Sequence, residues 1–449
     1  MTVPWLELGI SVALAAGFAC VGEIVLRRRS SELASWNESF LAGMGVGAAA
    51  LFPLSLILPG RAVLATVALL LLASVGVVAR RLVLRPAALR GGSRTLDTET
   101  RLVLGLAALV ALCFAALNFR YNYAWDGFQI WASKAQLLSV RGSLTRDWYP
   151  GDVYELRHVP YPPLVPLYEA LIGLLRGGFD FDRLKPIFLV FFLSMLVSMF
   201  SALRATSSPR LAAVGTLMLA LVPSLSTRWA AGAYADMPQA AMLAGVVAAC
   251  LSPGDRALPW LIGGLTAVKA EGTVLAALAC AGILLFWLLE GPRVFPARVR
   301  REASSIAIVA CLVGLRLAYV RWSRAADEVY GSFDTAHLRT AIGRILHVGR
   351  LCAVELVHFP RWGLLWPAFL AAAIVLIVHG TAREKSVAIA TSMAATVLAV
   401  PFLFTTWPLE LHVAQAYYRL LAQLAPAAVA VTVLGYARAA LSYSPRTRR

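Results

Sequence analysis

Charged side chains are scarce in this 449-residue sequence, and lysine is the scarcest of them. Only 14% of the residues are charged and 59% are hydrophobic, whereas soluble domains carry about 25% charged residues. This balance excludes an ordinary water-soluble domain and predicts an integral membrane protein. Lysine occurs at four positions against 37 arginines, a bias that we interpret as typical of a bacterium with a GC-rich genome.

Several chemical signatures are also missing. The six cysteines are isolated in or near apolar segments, without the paired spacing of a zinc site or a redox motif. There is no glycine-rich phosphate loop and no H-E-x-x-H or H-x-x-E-H metal motif. The first apolar segment ends in Arg27, Arg28 and Arg29 without a small-residue cleavage site, so we interpret it as a retained helix rather than a signal peptide.

The formal net charge of +17 needs a separate explanation, because a basic chain can be a nucleic-acid binder. No basic soluble domain exists here to carry such a function. A basic excess in a multi-span protein instead marks the loops on the cytoplasmic side of the membrane. We therefore predict no nucleic-acid partner.

Apolar runs long enough to cross a bilayer, about 20 residues each, recur along the whole chain. The sequence predicts an all-α polytopic protein with thirteen spans, at residues 4–26, 39–59, 62–79, 102–119, 186–203, 211–229, 236–251, 256–268, 272–289, 304–321, 361–379, 387–404 and 420–438. The segment 163–176 is short and has prolines near its start, so we expect a helix that lies at, or dips into, the outer face. The amphipathic stretch 332–351 is predicted to be a second surface-lying helix.

The arginine-rich loops orient these spans. Loops around residues 80–101, 293–301 and 383–385 and the C-terminal tail are basic, which predicts that they face the cytoplasm. The N-terminus, the loop that contains Asp126, and residues 322–358 and 405–419 then lie outside. The predicted location is a bacterial inner membrane, with the external loops on the periplasmic face.

The most polar interruption of this apolar sequence runs from Arg120 to Gly177. Trp125, Trp131 and Trp148 occur in it, together with ionisable residues of both signs: Asp126, Lys134, Asp147, Asp152, Glu155 and His158. Aromatic residues at an interface usually anchor helices. These are too numerous and too mixed in charge for anchoring alone, so we predict a functional loop here.

The predicted topology gathers ionisable and aromatic residues from distant parts of the chain onto the outer face. Such residues within or beside a span are costly and are functional candidates by default. The candidates are Asp126, Lys134, His158, Tyr161, Asp236, Lys269, Glu271, His412 and Arg419.

Each candidate also has a purely structural interpretation. Asp126 and Asp236 are each placed to cap a helix, and Lys134 could be an exposed interfacial lysine. Lys269 and Glu271 could pair with each other across the turn between two apolar runs. A lone histidine such as His158 is more often structural than catalytic, and Arg419, a good anion binder, could instead extend to the interface.

Five motifs occur in a recognisable order. They are W-D-G at Asp126, H-V-P-Y-P-P-L-V-P-L-Y-E-A from His158, A-Y-A-D-M-P at Asp236, L-T-A-V-K-A-E-G around Lys269, and H-V-A-Q-A-Y-Y-R-L-L from His412. Over residues 102–435 this series resembles the GT-C class of polytopic glycosyltransferases, which take a sugar from a polyprenyl-phosphate carrier outside the membrane, including the protein-mannosyltransferase and aminoarabinose-transferase types. The resemblance implies a GT-C-type catalytic core at 102–440 with an external loop at 120–185, additional N-terminal helices at 1–101, and a basic cytoplasmic tail at 441–449.

The resemblance also implies roles. Asp126 would be the catalytic base on a hydroxyl acceptor, and Lys269 and Arg419 would hold the phosphate of the lipid donor. The other predicted substrate-binding residues are Lys134, His158, Tyr161, Asp236 and Glu271. Many members of the class carry an Asp-Glu pair where this chain has Asp126 and Gly127, which puts metal dependence in doubt; a divalent metal stays open as a cofactor, and no other is indicated.

The partners expected on this interpretation are a polyprenyl-phosphate-linked sugar, membrane lipids, and a glycan, lipid or protein acceptor. Two alternatives remain from the sequence. A transporter or flippase of a lipid-linked solute would use a similar basic, aromatic cavity, although no internal repeat of the kind common in transporters is found. A polysaccharide polymerase or ligase would use a pyrophosphate-linked glycan instead.

Overall fold

The structure is a computed structural model that describes residues 5–26, 33–84, 96–144, 158, 160–227, 231–252, 256–291, 293–323 and 335–442. Most of these residues are helical, and none of them forms a strand. This confirms the predicted all-α class. The acidic residues Asp147, Asp152 and Glu155 and the aromatic Trp148 lie outside the described residues.

The described residues form nineteen α-helices. The first eight are α1 (Trp5–Leu26), α2 (Leu33–Ile57), α3 (Ala62–Leu84), α4 (Thr98–Arg120), α5 (Ser133–Arg141), α6 (Leu164–Arg176), α7 (Pro186–Arg204) and α8 (Pro209–Ala220). The next six are α9 (Pro223–Ser226), α10 (Asp236–Leu251), α11 (Leu258–Leu265), α12 (Gly272–Glu290), α13 (Phe295–Arg301) and α14 (Ala303–Ser323). The last five are α15 (Thr335–Leu356), α16 (Phe359–Trp362), α17 (Leu365–His379), α18 (Ala382–Val397) and α19 (Leu409–Ser442).

Nine helical segments in the described part of the chain are long and apolar enough to cross a membrane, and α8, α10 and α17 are shorter apolar helices. The protein is therefore a multi-pass membrane protein. The predicted total of thirteen spans is not confirmed. In particular, the predicted span 256–268 contains only the eight-residue helix α11, which is about 12 Å long.

Helix α6 corresponds to the short segment 163–176. It has thirteen residues, about 20 Å, and is not among the candidate spans. Residues 164–173 are buried, and the hydroxyl of Tyr168 donates a hydrogen bond to the carbonyl of Ser11 in α1. Neighbouring helices therefore enclose most of this helix.

The N-terminal helices are joined to the rest of the protein by buried polar contacts. Asn37 Nδ2 of α2 lies 2.8 Å from Ser198 Oγ and 3.2 Å from the Ser194 carbonyl, both in α7. Glu7 of α1, with 1% of its side chain exposed, lies 2.9 Å from Arg176 Nε and 3.5 Å from Arg183 Nη1. Helices α1 and α2, which belong to the region 1–101 predicted as an addition, thus pack directly against the later helices.

Helix α15 carries the amphipathic pattern of the second predicted surface helix. Its apolar side chains are exposed, Leu346 to 87% and Ile342 to 60%. Arg344 holds it to the chain before α19, with Nη1 2.9 Å from the carbonyl of Thr405. An exposed apolar stripe with arginines beside it is typical of a helix that lies along a membrane interface.

Candidate active site

Arg419, in α19, is the centre of a cluster of charged side chains. Its Nη1 lies 2.5 Å from Asp126 Oδ2, and its Nε lies 2.9 Å from Asp236 Oδ2. The guanidinium also stacks on the ring of Tyr234, 4.1 Å from the ring centroid. One cation therefore joins two carboxylates from distant parts of the chain.

Lys269 extends this cluster from the turn between α11 and α12. Its Nζ lies 3.0 Å from Asp236 Oδ1 and 3.1 Å from Glu271 Oε1. The predicted Lys269–Glu271 pair is thus confirmed, but it is part of a larger network. Gln423 Nε2, one turn after Arg419, donates a further bond of 2.7 Å to Asp236 Oδ1.

Neither aspartate acts as a helix cap. Asp126 directly precedes a π-helical turn, Gly127–Ala132, and Asp236 is the first residue of α10, yet neither helix start has a side-chain capping bond. The carboxylates instead bind Arg419, Lys269 and Gln423. The structure therefore contradicts the capping interpretation for both residues.

Close backbone contacts position Asp126. The amide of Ala124 donates to the carbonyl of Gly232 at 3.0 Å. A Cβ atom at Gly127 would lie 2.4 Å from that same carbonyl oxygen, so the residue after Asp126 cannot carry a side chain without a backbone shift. This gives a physical reason for the glycine in W-D-G.

Gly272, the last residue of K-A-E-G, is constrained in a similar way. A Cβ atom there would lie 1.9 Å from the carbonyl oxygen of Leu265. The chain therefore turns back tightly on the end of α11. This turn carries Lys269 and Glu271 toward Asp236.

The directly paired side chains of the cluster are three carboxylates and two cations. Asp126, Asp236 and Glu271 lie within 3.1 Å of Arg419 or Lys269, and the charge of Arg316 also interacts with Glu271. Asp126, Glu271 and Arg419 have 23%, 24% and 17% of their side chains exposed, whereas Lys269 has 6%. Buried charges of this kind are tolerated only when they are paired.

Lys134, His158 and Tyr161 form a second group next to the cluster. Lys134 Nζ donates to the carbonyl of His158 at 2.5 Å and lies 5.7 Å from the ring centroid of Tyr161. The rings of His158 and Tyr161 stack with centroids 4.7 Å apart. Lys134 is 1% exposed, which contradicts an exposed interfacial lysine; burial, and secondarily the nearby Arg316, lowers its pKa well below the usual value.

Arg316, in α14, connects the two groups. Its Nη1 donates to the carbonyl of Pro160 at 2.5 Å, and its charge interacts with both Lys134 and Glu271. The amide of Leu164 also donates to the carbonyl of Ala267 at 3.1 Å, which ties the proline-rich segment to the Lys269 turn. The two groups therefore form one continuous polar region.

Sequence reasoning missed Arg316 and a second arginine, Arg361. The guanidinium of Arg361 lies 4.3 Å from the ring centroid of Tyr418, and its Nη1 lies 2.6 Å from Glu355 Oε2. Tyr418 in turn interacts with Arg419, Asp236 and Asp126. An arginine inside an apolar span is costly and therefore indicates function, a rule that applies to Arg316. Arg361 is the first residue of the predicted span 361–379, where an arginine can extend to the interface and gives no such signal.

His412 lies farther from this centre. It is seven positions, or two helical turns, before Arg419 in α19, and its Nδ1 is 2.6 Å from Thr405 Oγ1. The ring packs against Phe402 and Trp407. These contacts make His412 part of the corner that precedes α19.

The carboxylates of the cluster are not arranged as ligands of a metal ion. Among the residues that the structure describes, no three His, Cys, Asp or Glu side chains group as potential ligands. Asp126 and Asp236 both face Arg419, whose guanidinium occupies the position between them. The described residues therefore do not fit a divalent metal bridged by these two aspartates.

A large cavity lies elsewhere, between α10, α11, α12, α14, α18 and α19. Its volume is about 1100 Å³, and its lining is mostly apolar. Arginines also line it: Arg256, Arg298, Arg301 and Arg383. It is therefore a second feature, chemically distinct from the polar cluster.

The cluster itself unites residues from five separate parts of the chain: the segment after α4, the start of α10, the turn before α12, α14 and α19. Comparison of the chain with family models, with curated proteins and with solved structures gives no match.

Proposed function

We propose that this protein is an inverting glycosyltransferase of the GT-C type, which moves a sugar from a polyprenyl-phosphate donor to a hydroxyl acceptor. The observation that carries the proposal is the convergence of Asp126, Asp236, Lys269, Glu271 and Arg419 in one network of contacts no longer than 3.1 Å. These residues come from four of the five motifs that resemble the class. On this proposal the protein lies in a bacterial inner membrane with the cluster on the periplasmic side.

Asp126 is the proposed base. Its Oδ2 atom binds Arg419, whereas no described residue donates a hydrogen bond to Oδ1. The acceptor hydroxyl gives its proton to this carboxylate as its oxygen attacks the anomeric carbon. The bond between that carbon and the phosphate oxygen breaks, and the lipid phosphate leaves with the electron pair.

Arg419 and Lys269 are the proposed ligands of the donor phosphate. Both already bind carboxylates, and we propose that an arriving phosphate replaces one of those contacts. The exchange that costs least is at Asp126, since this carboxylate is more exposed than Asp236. Donor binding to Arg419 would then free Asp126 to act as the base, which couples binding of the donor to activation of the acceptor.

The remaining groups suit recognition of a sugar. Tyr234 and Tyr418 offer aromatic faces beside the guanidinium groups of Arg419 and Arg361. Glu271 Oε2 has no hydrogen-bond partner among the described residues, so a sugar hydroxyl could donate to it. Asp236, held by three donors, would orient the sugar or the acceptor, and Lys134, His158 and Tyr161 would support the proline-rich segment beside them.

The direct test is release of free polyprenyl phosphate by the purified protein. A panel of polyprenyl-phosphate sugars is offered with a crude membrane extract as acceptor, and the wild type is compared with Asp126→Asn. Glu410→Gln serves as the matched control, because Glu410 lies on the same helix as Arg419 but is 67% exposed and pairs with His347 outside the cluster. Removal of a catalytic base typically costs 10²–10⁴-fold in rate.

We expect release with the wild type and with Glu410→Gln, and a loss of about that size with Asp126→Asn. Release that survives in Asp126→Asn would remove Asp126 as the base. Donor binding without release, with every acceptor fraction, would overturn the transferase proposal.

A second function, transport of a lipid-linked solute, is favoured by one observation. The polar cluster is closed by ion pairs, and a large cavity with basic residues lies among the same helices. A transporter opens its binding site alternately to the two sides of the membrane, and a closed cluster on one side with a cavity on the other fits one of these two states. Movement of a fluorescent lipid-linked sugar across proteoliposomes, without cleavage, would support this function over transfer.

A further inference from the structure

The arginine-lined cavity lies at the opposite end of the helices from the Asp126 cluster. Arg383 stands at the start of α18, beside Glu384, whose Oε1 lies 3.0 Å from Arg438 Nη2. Arg438 follows Arg419 by nineteen positions in α19, which is about 28 Å along a helix. The hydrocarbon core of a bilayer is about 30 Å thick, so the cavity arginines lie near the other membrane surface.

The charge at the mouth of this cavity is mostly positive. Arg298 Nη2 lies 3.0 Å from Glu290 Oε2, and Arg301 Nε is 4.0 Å from Glu302 Oε1. Arg256 and Arg383 form no ion pair with any described carboxylate, and the guanidinium of Arg383 lies 5.2 Å from the ring centroid of Phe286. The mouth therefore offers two arginines whose charge the described residues leave unmatched.

The interior of the cavity is apolar. It is lined by side chains such as Leu243, Ile262, Ile283 and Val309, from four different helices. Trp260 and Trp287 also line it, and tryptophan is enriched where a protein meets the membrane interface. A volume of about 1100 Å³ exceeds what a small anion needs.

A ligand for this cavity must combine a negative head with a long apolar body. A free phosphate would leave the apolar lining empty, and a neutral lipid would leave the arginines without a counter-charge. Basic pockets between membrane helices bind the head groups of anionic lipids. We propose that the cavity binds an anionic phospholipid from the leaflet nearest these arginines, with its phosphate at Arg256 and Arg383 and an acyl chain between the helices.

This proposal does not depend on sugar transfer, because the cavity shares no charged residue with the Asp126 cluster. It is tested by native mass spectrometry of the delipidated full-length protein, titrated with phosphatidylglycerol or with phosphatidylcholine. The double variant Arg256→Gln/Arg383→Gln is compared with Arg293→Gln/Arg300→Gln. The control pair consists of exposed arginines of the same basic region that do not line the cavity.

We expect phosphatidylglycerol to bind more tightly than phosphatidylcholine. Each arginine near a membrane surface contributes about 1 kcal/mol toward an anionic lipid, so loss of two weakens binding roughly 30-fold. The control pair should retain wild-type affinity. Equal affinity for both lipids, or an equal loss in the control pair, would overturn the proposal.

A third variant, Val309→Trp, tests the apolar part. If an acyl chain occupies the cavity, this substitution lowers binding of phosphatidylglycerol while the arginines remain in place. Unchanged binding would overturn the proposal that an acyl chain occupies the cavity. Inorganic phosphate is titrated in parallel, and displacement of the lipid by phosphate alone at comparable concentration would show a small-anion site instead.

Discussion

At the scale of single residues, the cost of burying charge identified most of the site. Asp126, Asp236, Lys269, Glu271 and Arg419 were all predicted because ionisable groups beside apolar spans need a reason to be there. The same logic cannot find Tyr234 or Gln423, since a neutral side chain in an apolar sequence carries no comparable penalty. Nor does it show which carboxylate meets which cation, because Asp126 and Arg419 lie 293 positions apart.

Glu169, in α6, provides a prediction at this scale. It is fully buried, and burial raises the pKa of its carboxyl to about 8, although a hydrogen bond from Tyr123 acts in the opposite direction. The folded protein therefore keeps a proton that the unfolded chain, with a pKa near 4.3, loses. Stability from this group is present at low pH and is lost as pH rises toward about 8.

We expect the midpoint temperature of thermal unfolding of the wild type to decrease as the pH is raised from about 5 to about 8. The midpoint of Glu169→Gln should decrease less over the same range. Glutamine keeps an acceptor for the Tyr123 hydroxyl, which lies 3.0 Å from Glu169 Oε1, but it cannot ionise. The measurement is differential scanning fluorimetry of both proteins in the same detergent. Curves that stay parallel across this pH range would show that Glu169 is not protonated in the folded protein.

At the scale of helices, hydropathy found several spans almost to the residue. The predicted spans 186–203 and 272–289 correspond to α7 and α12, Pro186–Arg204 and Gly272–Glu290. The prediction 211–229 was wrong in extent, because the helix ends at Ala220 and Pro223 begins a separate short turn. A hydropathy profile does not show such a break. The break occurs because proline lacks a backbone donor and its ring clashes with the preceding turn.

The last helix shows the opposite error. The predicted span 420–438 is part of a continuous helix from Leu409 to Ser442. The polar residues at its start, including Glu410 and His412, lower the hydropathy but do not oppose helix formation. A hydropathy window therefore measures the apolar part of a helix and not its length.

The attachment of α1 to α6 gives a prediction for these elements. Glu7, 1% exposed, binds Arg176 at 2.9 Å and Arg183 at 3.5 Å. The surface pair Glu99–Arg210 is shorter, at 2.6 Å, but Glu99 is 65% exposed. Because burial and not distance sets the value of an ion pair, we expect Glu7→Ala to lower the free energy of unfolding by about 3 kcal/mol and Glu99→Ala by less than about 1 kcal/mol.

Urea unfolding of both variants, followed by tryptophan fluorescence, measures the difference. Glu99→Ala is the control, since it also removes one glutamate from an arginine pair. Equal losses in the two variants would show that Glu7 is hydrated in the membrane. A larger loss in Glu99→Ala would contradict the argument from burial.

At the scale of the whole molecule, the distribution of arginine predicts the orientation. The arginines around α13 and the start of α18 should face the cytoplasm, and α15 should face the outside. Only the multi-pass architecture follows from the helices themselves, because a helix crosses equally well in either direction. The orientation is therefore a separate prediction.

Cysteine labelling in intact cells tests this orientation. In a background without the six native cysteines, Arg339→Cys should react with a membrane-impermeant maleimide, and Arg300→Cys should react only after the cells are opened. Both positions are solvent-exposed arginines in the protein, so they serve as matched probes. The reverse pattern would place the Asp126 cluster in the cytoplasm and exclude a periplasmic transferase.

Helix α19 connects the two chemically different ends of the molecule. It carries Arg419 in the polar cluster and Arg438 beside the arginine-lined cavity, with Pro426 between them. A helix is stiff except where a backbone hydrogen bond is missing, and in α19 this place is Pro426. A tilt of one half of the helix about Pro426 changes its position relative to the other half. On the two proposals made above, a lipid bound at one end of α19 would therefore change the position of Arg419 at the other end.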